Sequence, residues 1–532
     1  MAKKYVFEEE MTEERLKETH ELYEKYYDEW KFLNAAYEGV RALIAWGVFK
    51  QHERESPANY KRRVDEAYGF TYSRSIVDLL NSYLFKKDYP RTIPEPLGDD
   101  IQWQAFQEDC NYEGEEFDEF FIDQSRQASI QGLVGILVDK PRMATENKQQ
   151  QLDEEIYPYL AAYKPTHIID WEYEVDINGH KKLVYLKLLD DDEYYRIWTP
   201  EKWEVWEIVE TETHKNLTTL NTERGTKFEQ VGRTANKVAE GDHHLGEIPF
   251  VWLYNQRSVI DKDVGLSDIS DVSRIDVSIM RNLSQIEEIV NYTAFPMMRK
   301  PRREAGGYEG VDQKDEVGET AVLEFDPDNP EGTKSDWLES HAEGPIKAVL
   351  EVIAKKVSEI YRATNVGGMA ATEIQTQAKS GVALKAEFQL LNSKLVKKGK
   401  NVVKAKRGVT KYWLMWQDEW DKYRDELRFD YVKTFEVEDL MTDLENMLTS
   451  KVIITDSPTY NSEVQKMAVR MMIPSAEDET LADIDAEIDE GPMWPEFPPE
   501  GEFPGEEGTP DGTPPSGEPK KPDLKKIKGG VE

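Results

Sequence analysis

The chain has 532 residues with 105 acidic and 67 basic side chains, and its formal net charge of −38 argues against tight clamping of nucleic-acid phosphate. Its aromatic share of 11% is too high for a wholly disordered acidic polymer, so folded cores are expected. The single cysteine, Cys110, excludes an internal disulfide framework and a cysteine-built metal site, and we expect neither a signal peptide nor a membrane span, because long apolar runs are missing.

Helical patterns dominate the first part of the chain. From Thr12 onward, apolar and aromatic residues recur at three to four residues, or twice that, between charges. Ser56 followed by Pro57 predicts a helix start, because serine caps free amides and proline suits the first helical position. This helix is expected to run past Leu80 and to stop before Pro90, since proline cannot continue it.

A change of pattern then predicts a sheet region. An apolar face within the acidic stretch 99–125 predicts a helix that ends near Gly132. Residues 132–139 are expected to form a buried strand, bounded by glycine and by Pro141. Alternation over 157–255, interrupted by turn residues, predicts an antiparallel sheet.

Two helices are expected to flank a short β segment in the middle of the chain. Apolar residues three and four apart predict a helix over 267–295, capped by Ser267. Residues 296–342 are rich in Gly, Pro and charge and contain one strand candidate, 320–325. Helical spacing returns from about 345 to 361.

One long helix dominates the remaining folded part. Its pattern runs over 381–425, and bends are expected at its two internal glycines. A strand is predicted at 429–435, and shorter helices are predicted within 438–490. Residues 491–532 are rich enough in Pro and Gly that we expect them to be disordered.

The sequence contains no recognisable catalytic site. Gly332-Thr-Lys-Ser335 is the nearest approach to a nucleotide-binding loop, but it has an extra Thr and lacks the preceding glycine. The acidic run 190–193 could hold Mg²⁺ in a nuclease, although a solvated hairpin tip is the commoner structure for such a run. Acidic surroundings disfavour a thiol nucleophile at Cys110, because they raise its pKa. We therefore expect no enzymatic activity and no cofactor or metal.

One basic stretch stands out in this acidic chain. Eight cations follow one another without an intervening acid: Lys394, Lys397, Lys398, Lys400, Lys404, Lys406, Arg407 and Lys411. This stretch is interpreted either as a solvated face or partner of acidic helices in a neighbouring subunit, or as a surface that meets nucleic-acid phosphate. The candidate contact residues are Lys394, Lys397, Lys398, Lys400 and Lys404. Trp413, Trp416 and Trp420 follow on one helical face, a spacing typical of core or subunit contacts.

Four short sequence strings occur one after another along the chain. They are Glu55-x4-Tyr60-x2-Arg63-x3-Ala67, Gly132-x2-Gly135-Ile-Leu-Val-Asp139-x-Pro141, Gly246-x-Ile248-Pro249-Phe250 and Ser380-Gly381-x2-Leu384-x2-Glu387. Together with the order of the predicted elements, these strings resemble one subgroup of the portal proteins of tailed bacteriophages, over about residues 35–470.

The resemblance implies an α+β, portal-type subunit with a wing, a helical stem, a small β clip, a long kinked channel helix and a helical crown. Mapped onto this chain, the parts are the wing 1–265 joined by the strand near 429–435, the first stem helix 266–295, the clip 296–343, the second stem helix 344–362, the channel loop 363–380, the long channel helix 381–425, the crown 438–490 and the disordered tail 491–532.

The function implied by the resemblance is a ring at one capsid vertex, through which double-stranded DNA is packaged and later ejected. Its expected partners are further copies of itself in a ring of about twelve, terminase, head–tail adaptors and the major capsid or scaffold protein, with no membrane. Its expected location is the virion, and the host cytoplasm during assembly. About −4 of the net charge lies in the tail 491–532, so across such a ring the folded parts carry roughly −400 around a duplex that must slide, and the acidity is compatible with a DNA conduit.

The expected DNA-facing positions lie in the channel loop. They are Gly367, Gly368, Thr372, Gln375, Gln377 and Lys379. Small residues cannot clamp a duplex, and the hydroxyl and amide groups can exchange hydrogen bonds with water as DNA moves. Two other functions stay open: a different head–tail structural or adaptor protein, and an acidic metal-dependent nuclease.

Overall fold

The structure is a computed structural model that describes residues 11–490 apart from short gaps. The gaps are residues 54, 142–155, 192, 214–229, 295–297, 302–321, 326–335, 338–341, 365–380, 434, 436–456 and 473–477. The chain divides into two compact units, Met1–Glu436 and Val437–Glu532, which are described separately. Helices and mainly antiparallel sheets are mixed along the chain, so the predicted α+β class is confirmed.

Helices fill the first unit up to its first large sheet. They are α1 (Glu13–Lys17), α2 (Glu21–Glu38), α3 (Val40–Ala45), α4 (Pro57–Asp65), α5 (Tyr72–Leu84), α6 (Glu95–Gly98), α7 (Ile101–Glu108) and α8 (Phe117–Gln131), with the short strand β1 (Arg91–Thr92) between α5 and α6. As predicted, Ser56 caps α4, because its hydroxyl accepts a hydrogen bond from the backbone N–H of Asn59 at 3.2 Å.

The helix predicted from Ser56 past Leu80 is wrong in its extent, because the chain forms two helices there. Helix α4 packs Tyr60 and Val64 against a peripheral cluster that contains Phe49. Helix α5 instead buries Leu80 in the main core. The two apolar faces serve different cores and need a break between them, which a shared spacing of apolar residues does not reveal.

The buried strand predicted at 132–139 is the centre of a three-stranded sheet. The strands are β2 (Leu133–Asp139), β3 (Tyr159–Tyr163) and β9 (Phe250–Tyr254), in the order β3-β2-β9 and all antiparallel. Every residue of β2 is buried. A Cβ at Gly135 would lie 2.0 Å from Cζ of Phe250, so only glycine leaves room for that ring.

Most of the alternating segment forms a five-stranded antiparallel meander, so the predicted antiparallel pairing is confirmed, but the two ends of the segment, β3 and β9, pair with β2 instead. Its strands are β4 (Ile168–Val175), β5 (Lys181–Asp190), β6 (Tyr194–Trp198), β7 (Lys202–Thr213) and β8 (Gln230–Asp242), paired in chain order. The short strands β10 (Gln256–Arg257) and β11 (Gly265–Leu266) pair with each other before the next helix.

Two helices flank a small mixed sheet in sequence. The elements in chain order are α9 (Ser270–Ala294), β12 (Met298–Pro301), β13 (Val322–Phe325), β14 (Asp336–Trp337) and α10 (Glu343–Ala363). Strand β12 is central, parallel to β13 and antiparallel to β14. Helices α9 and α10 pack against each other, so after the small sheet the chain runs back along α9.

The long helix α11 (Gly381–Trp416) is shorter than predicted. It is followed by α12 (Trp420–Tyr423) and β15 (Arg428–Phe429). The chain turns at Asp418, whose φ of +58° is left-handed, so the expected continuation to 425 is wrong. The helix is unbroken at Gly399 and Gly408, where side chains of neighbouring elements pack closely on the helix. Strand β15 pairs with β1, so a strand does return to the N-terminal part, over two residues.

The main hydrophobic core lies where α5, α8, β2, α9 and α11 meet. Its buried side chains include Leu80, Phe121, Ile136, Ile279 and Val409. One face of helix α11 therefore forms part of the main core, and its position is fixed by elements from most of the preceding sequence.

The second unit contains α13 (Pro458–Met472) and α14 (Asp478–Glu490). Ion pairs join the two helices, at 2.7 Å between Lys466 and Asp489 and at 2.5 Å between Arg470 and Asp485. Among the described residues, none of the helices combines the length and the apolar character needed to cross a bilayer.

Candidate functional site: the long helix and its flanks

The predicted DNA-facing loop is bounded by two described helices. Its residues Gly367, Gly368, Thr372, Gln375, Gln377 and Lys379 lie outside the described residues. On one side, α10 ends at Ala363 and is followed by the capping residue Thr364, whose hydroxyl donates to the Ile360 carbonyl at 2.9 Å. On the other side, α11 begins at Gly381. The anchoring of these two helices decides where the loop is held.

Helix α10 is attached to the rest of the unit by one narrow face. Val357 and Ile360 are buried against the main core, and the Lys356 ammonium donates to the Ser278 hydroxyl of α9 at 2.7 Å. Leu350 and Val352 are 49% and 47% exposed. The first half of α10 thus presents apolar side chains to its surroundings.

A buried ionic cluster holds α11 against the start of α9. The Asp268 carboxylate lies 2.6 Å from the Lys398 ammonium and 2.9 Å from that of Lys394. Lys398 also donates to the Ser129 hydroxyl at 2.7 Å. Burial alone raises the pKa of the Asp268 carboxyl, but the two ammonium groups outweigh it and hold that pKa well below its usual range.

The structure therefore corrects the prediction that Lys398 contacts phosphate or a neighbouring subunit. Its side chain is 4% exposed, and its charge is matched inside the subunit. Lys394 is half-buried and shares the same carboxylate. Both lysines fix the helix in place, because a buried ammonium is tolerated only with a carboxylate and further hydrogen bonds around it.

A second internal ion pair lies eight residues further along α11, at Lys406. Lys406 is buried, bonds the Asp118 carboxylate of α8, and lies 5.4–5.8 Å from the centroids of the Tyr89, Phe117 and Phe121 rings. Burial lowers the pKa of Lys406, and Asp118 opposes that shift. Near the helix end, Lys411 lies 2.6 Å from Glu247.

The other cations of the basic stretch point away from the core. Lys397, Lys400, Lys404 and Arg407 are all exposed. At about 100° per residue, they fall within an arc of about 80° on the helix surface. The Lys400 ammonium lies 4.6 Å from the centroid of the Tyr431 ring, and within the described part of the chain none of the four is within 4.0 Å of a carboxylate.

The tryptophans at the end of α11 are packing residues, as their spacing predicts. Trp413 is buried, with its ring centroid 5.0 Å from that of Trp103 and 5.4 Å from that of Phe106. The indole N–H of Trp416 donates to the Val138 carbonyl at 2.8 Å. This end of the helix is therefore fixed to both α7 and the central strand.

Three of the four strings behind the family resemblance make specific contacts. Glu55 forms a bidentate pair with Arg63, at 2.8 and 2.9 Å. Gly135 accommodates the Phe250 ring, which places the second and third strings in direct contact. The side chains of the fourth string, 380–387, lie outside the described set. The strings therefore coincide with a clamp around α4 and with the centre of the β3-β2-β9 sheet.

Residues with catalytic potential are engaged in packing. Burial, with Glu115 and Asp109 as the next causes, raises the pKa of the Cys110 thiol, which agrees with the expectation that it is a poor nucleophile. Asp190 accepts from Tyr163 at 2.7 Å and from Arg196 at 2.8 Å, so this half-buried member of the acidic run is held by internal hydrogen bonds. Among the described residues, no three His, Cys, Asp or Glu side chains are grouped to bind a metal.

Sequence reasoning missed the acidic partners of α11, but one signal for Lys398 was present. The buried positions of the helix follow a spacing of four and three residues: Leu391, Leu395, Lys398, Val402, Ala405 and Val409. Lys398 occupies a core position of that stripe, which indicates a buried lysine with an internal partner. The identity of the partner, Asp268, had no local signal.

Comparisons with known proteins gave the following. No family model matches the chain, and no curated protein matches it. Among solved structures, it is similar to a chain in the neck of an empty gene transfer agent particle computed with C6 symmetry, at 10% identity and a TM-score of 0.40, covering 75% of this chain and 90% of that chain. It is also similar to a chain in the virion of a native gene transfer agent particle, at 11% identity and a TM-score of 0.38, covering 72% and 86%. Both TM-scores are below 0.5, so neither likeness identifies the function of this chain.

Proposed function

We propose that this chain is the subunit of a phage portal, a ring at the capsid vertex through which double-stranded DNA is packaged and ejected. The observation that carries the proposal is the succession of α9, the β12–β14 sheet, α10 and α11. Two helices packed side by side project a small sheet, and the chain then passes through 365–380 into a 36-residue helix. This is the arrangement that the four sequence strings lead us to expect of a portal subunit.

The proposed parts of the subunit are those that the family resemblance implies. The wing is 1–265 with the returning β15, the stem is α9 and α10, and the clip is the segment with β12–β14. The channel loop is 363–380 with Lys379 as a transient phosphate contact, and the crown is 438–490. Terminase and later a head–tail adaptor would dock on the clip, while capsid or scaffold protein surrounds the wing.

The anchoring of α11 suits a conduit. A pulling force on the loop is transmitted to both flanking helices, and α11 is held by the Asp268 cluster, the Lys406–Asp118 pair and the Trp416 hydrogen bond. These contacts are internal to the subunit, so the loop can be held against moving DNA without tight binding to it. The strong net negative charge keeps a passing duplex from adhering.

Imaging decides between the portal and the other functions. Negative-stain micrographs of the purified chain should show rings with a central hole. Monomers or dimers at every concentration would contradict the proposal and favour a different head–tail protein.

Incubation with ATP, and with duplex DNA plus Mg²⁺ or Mn²⁺, should yield no hydrolysis and no cleavage. Metal-dependent cleavage would favour the nuclease instead.

A further inference from the structure

The exposed cations of α11 form a continuous basic stripe, defined as Lys397, Lys400, Lys404 and Arg407. Their spacing of three, four and three residues places them in one row about 15 Å long, at 1.5 Å per residue. Lys398 and Lys406 occupy the neighbouring core positions of the helix, where Asp268 and Asp118 neutralise them. The stripe is thus a concentration of unneutralised positive charge on a protein whose net charge is −38.

An opposite surface exists on the same unit. Glu113, Glu116 and Glu119 are exposed around the start of α8, and we call them the acidic knob. Burial is the main cause that raises the pKa of the adjacent Glu115, and the charges of Asp123, Glu119 and Glu113 raise it further. Negative charge is therefore crowded at this place, and among the described residues none of the three knob carboxylates lies within 4.0 Å of a cation.

The two surfaces face different ways. Asp118, next to the knob, bonds Lys406, and Lys406 lies about 140° around α11 from the centre of the stripe. The knob of one subunit therefore approaches α11 from the side opposite to its own stripe. Complementary patches on opposite sides of one subunit generate a head-to-tail contact, which closes into a ring when copies are added by rotation.

We infer that the basic stripe of each subunit binds the acidic knob of the next copy in the ring. The inference rests on the proposed function, because it requires copies related by rotation. A second copy is the occupant that the structure favours, since its knob presents spaced carboxylates opposite in charge to the stripe, on the other side of the same unit. Subunits this acidic repel one another, so assembly needs local attraction of this kind.

Charge reversal on each side tests the contact. One variant carries Lys397→Glu, Lys400→Glu and Lys404→Glu, and a second carries Glu113→Lys, Glu116→Lys and Glu119→Lys. Mass photometry should show that each variant alone loses rings by at least about tenfold, because like charges now face each other. A mixture of the two should regain rings, since each stripe then meets a knob of opposite charge. A control with Lys86→Glu, Lys182→Glu and Lys202→Glu, which are exposed lysines elsewhere, should assemble normally.

The outcomes separate the inference from the proposed function. Rings that survive the stripe reversal, or that do not return in the mixture, overturn the contact alone. Intact rings with weakened binding of a labelled duplex in fluorescence anisotropy also overturn it, and assign the stripe to DNA phosphate. Unmodified chains that never form rings overturn the proposed function, and the contact with it. Circular dichroism of each variant shows whether its fold is retained.

Discussion

The ammonium of Lys398 lies 2.6 Å from the carboxylate of Asp268, and both side chains are buried although 130 residues separate them in sequence. This pair joins the middle of the long helix to the residues that lead into α9. It turns the most basic segment of the chain into part of the core, and it leaves only one side of the helix free to act as a charged surface.

Replacement of Lys398 should be costly. Lys398→Met leaves a buried carboxylate with Lys394 as its remaining cation, and removal of one partner of a buried pair costs about 3–5 kcal/mol. Urea unfolding followed by tryptophan fluorescence, in one oligomeric state, measures the change. The exposed neighbour provides the control, since Lys397→Met should change stability by less than about 0.5 kcal/mol. Equal effects of the two substitutions would contradict a buried ionic anchor. Combining Lys398→Met with Asp268→Leu should recover most of the loss.

Asp276 should make stability depend on pH. Its carboxylate accepts from the amide and the hydroxyl of Ser73 at 2.8 and 2.6 Å, and burial raises its pKa to about 6. Because the folded state holds this proton more tightly than the unfolded chain, stability should fall as pH rises from about 4 to about 6, by about 2–3 kcal/mol. Asp276→Asn keeps an acceptor for Ser73 and removes the titration.

Unfolding measured from pH 4 to pH 8 checks this prediction. The Asn variant should match the natural chain at the acidic end and exceed it in stability at pH 8. A constant difference between the two proteins across the range would show that Asp276 does not titrate there.

Gly135→Ala should destabilise the central sheet. The added methyl group would lie 2.0 Å from Cζ of Phe250 and 2.9 Å from Cδ1 of Ile168, so the ring or the strand must move. Overpacking of this kind costs about 1–3 kcal/mol. Gly98→Ala is the matched control, because a Cβ there meets no atom within 4 Å, and it should change stability by less than about 1 kcal/mol. Thermal unfolding of both variants compares them, and similar melting temperatures would argue against the tight packing.

Trp416→Phe should weaken the attachment of the helix end to strand β2. The substitution keeps an aromatic ring but removes the N–H that donates to the Val138 carbonyl, at a cost of about 1 kcal/mol. Hydrogen exchange should show faster exchange in residues 410–416 of the variant. Trp46→Phe, at a side chain that is 41% exposed, should leave that region unchanged. Unaltered exchange in Trp416→Phe would mean that the bond does not hold the helix end.

Much of the local structure was predictable because it is encoded in neighbouring residues. The Ser56 cap, the buried strand ending at Asp139 and the alternating strands over 157–255 all depend on local spacing and turn chemistry. The errors lie at breaks, where α4 separates from α5 and where the chain turns at Asp418. The position of such a break depends on which core each segment packs against. The spacing of apolar residues within one segment does not indicate which core that is.

The basic stretch 394–411 shows most clearly which properties depend on the sequence alone and which depend on the tertiary structure. The sequence by itself determined that residues 394–411 are helical, cationic and free of acids. Only the tertiary structure decided that Lys398 and Lys406 are neutralised internally, while Lys397, Lys400 and Lys404 remain exposed. The physical reason is that a lysine is buried only where a carboxylate meets it, and Asp268 and Asp118 are brought to the helix by folding of distant parts of the chain.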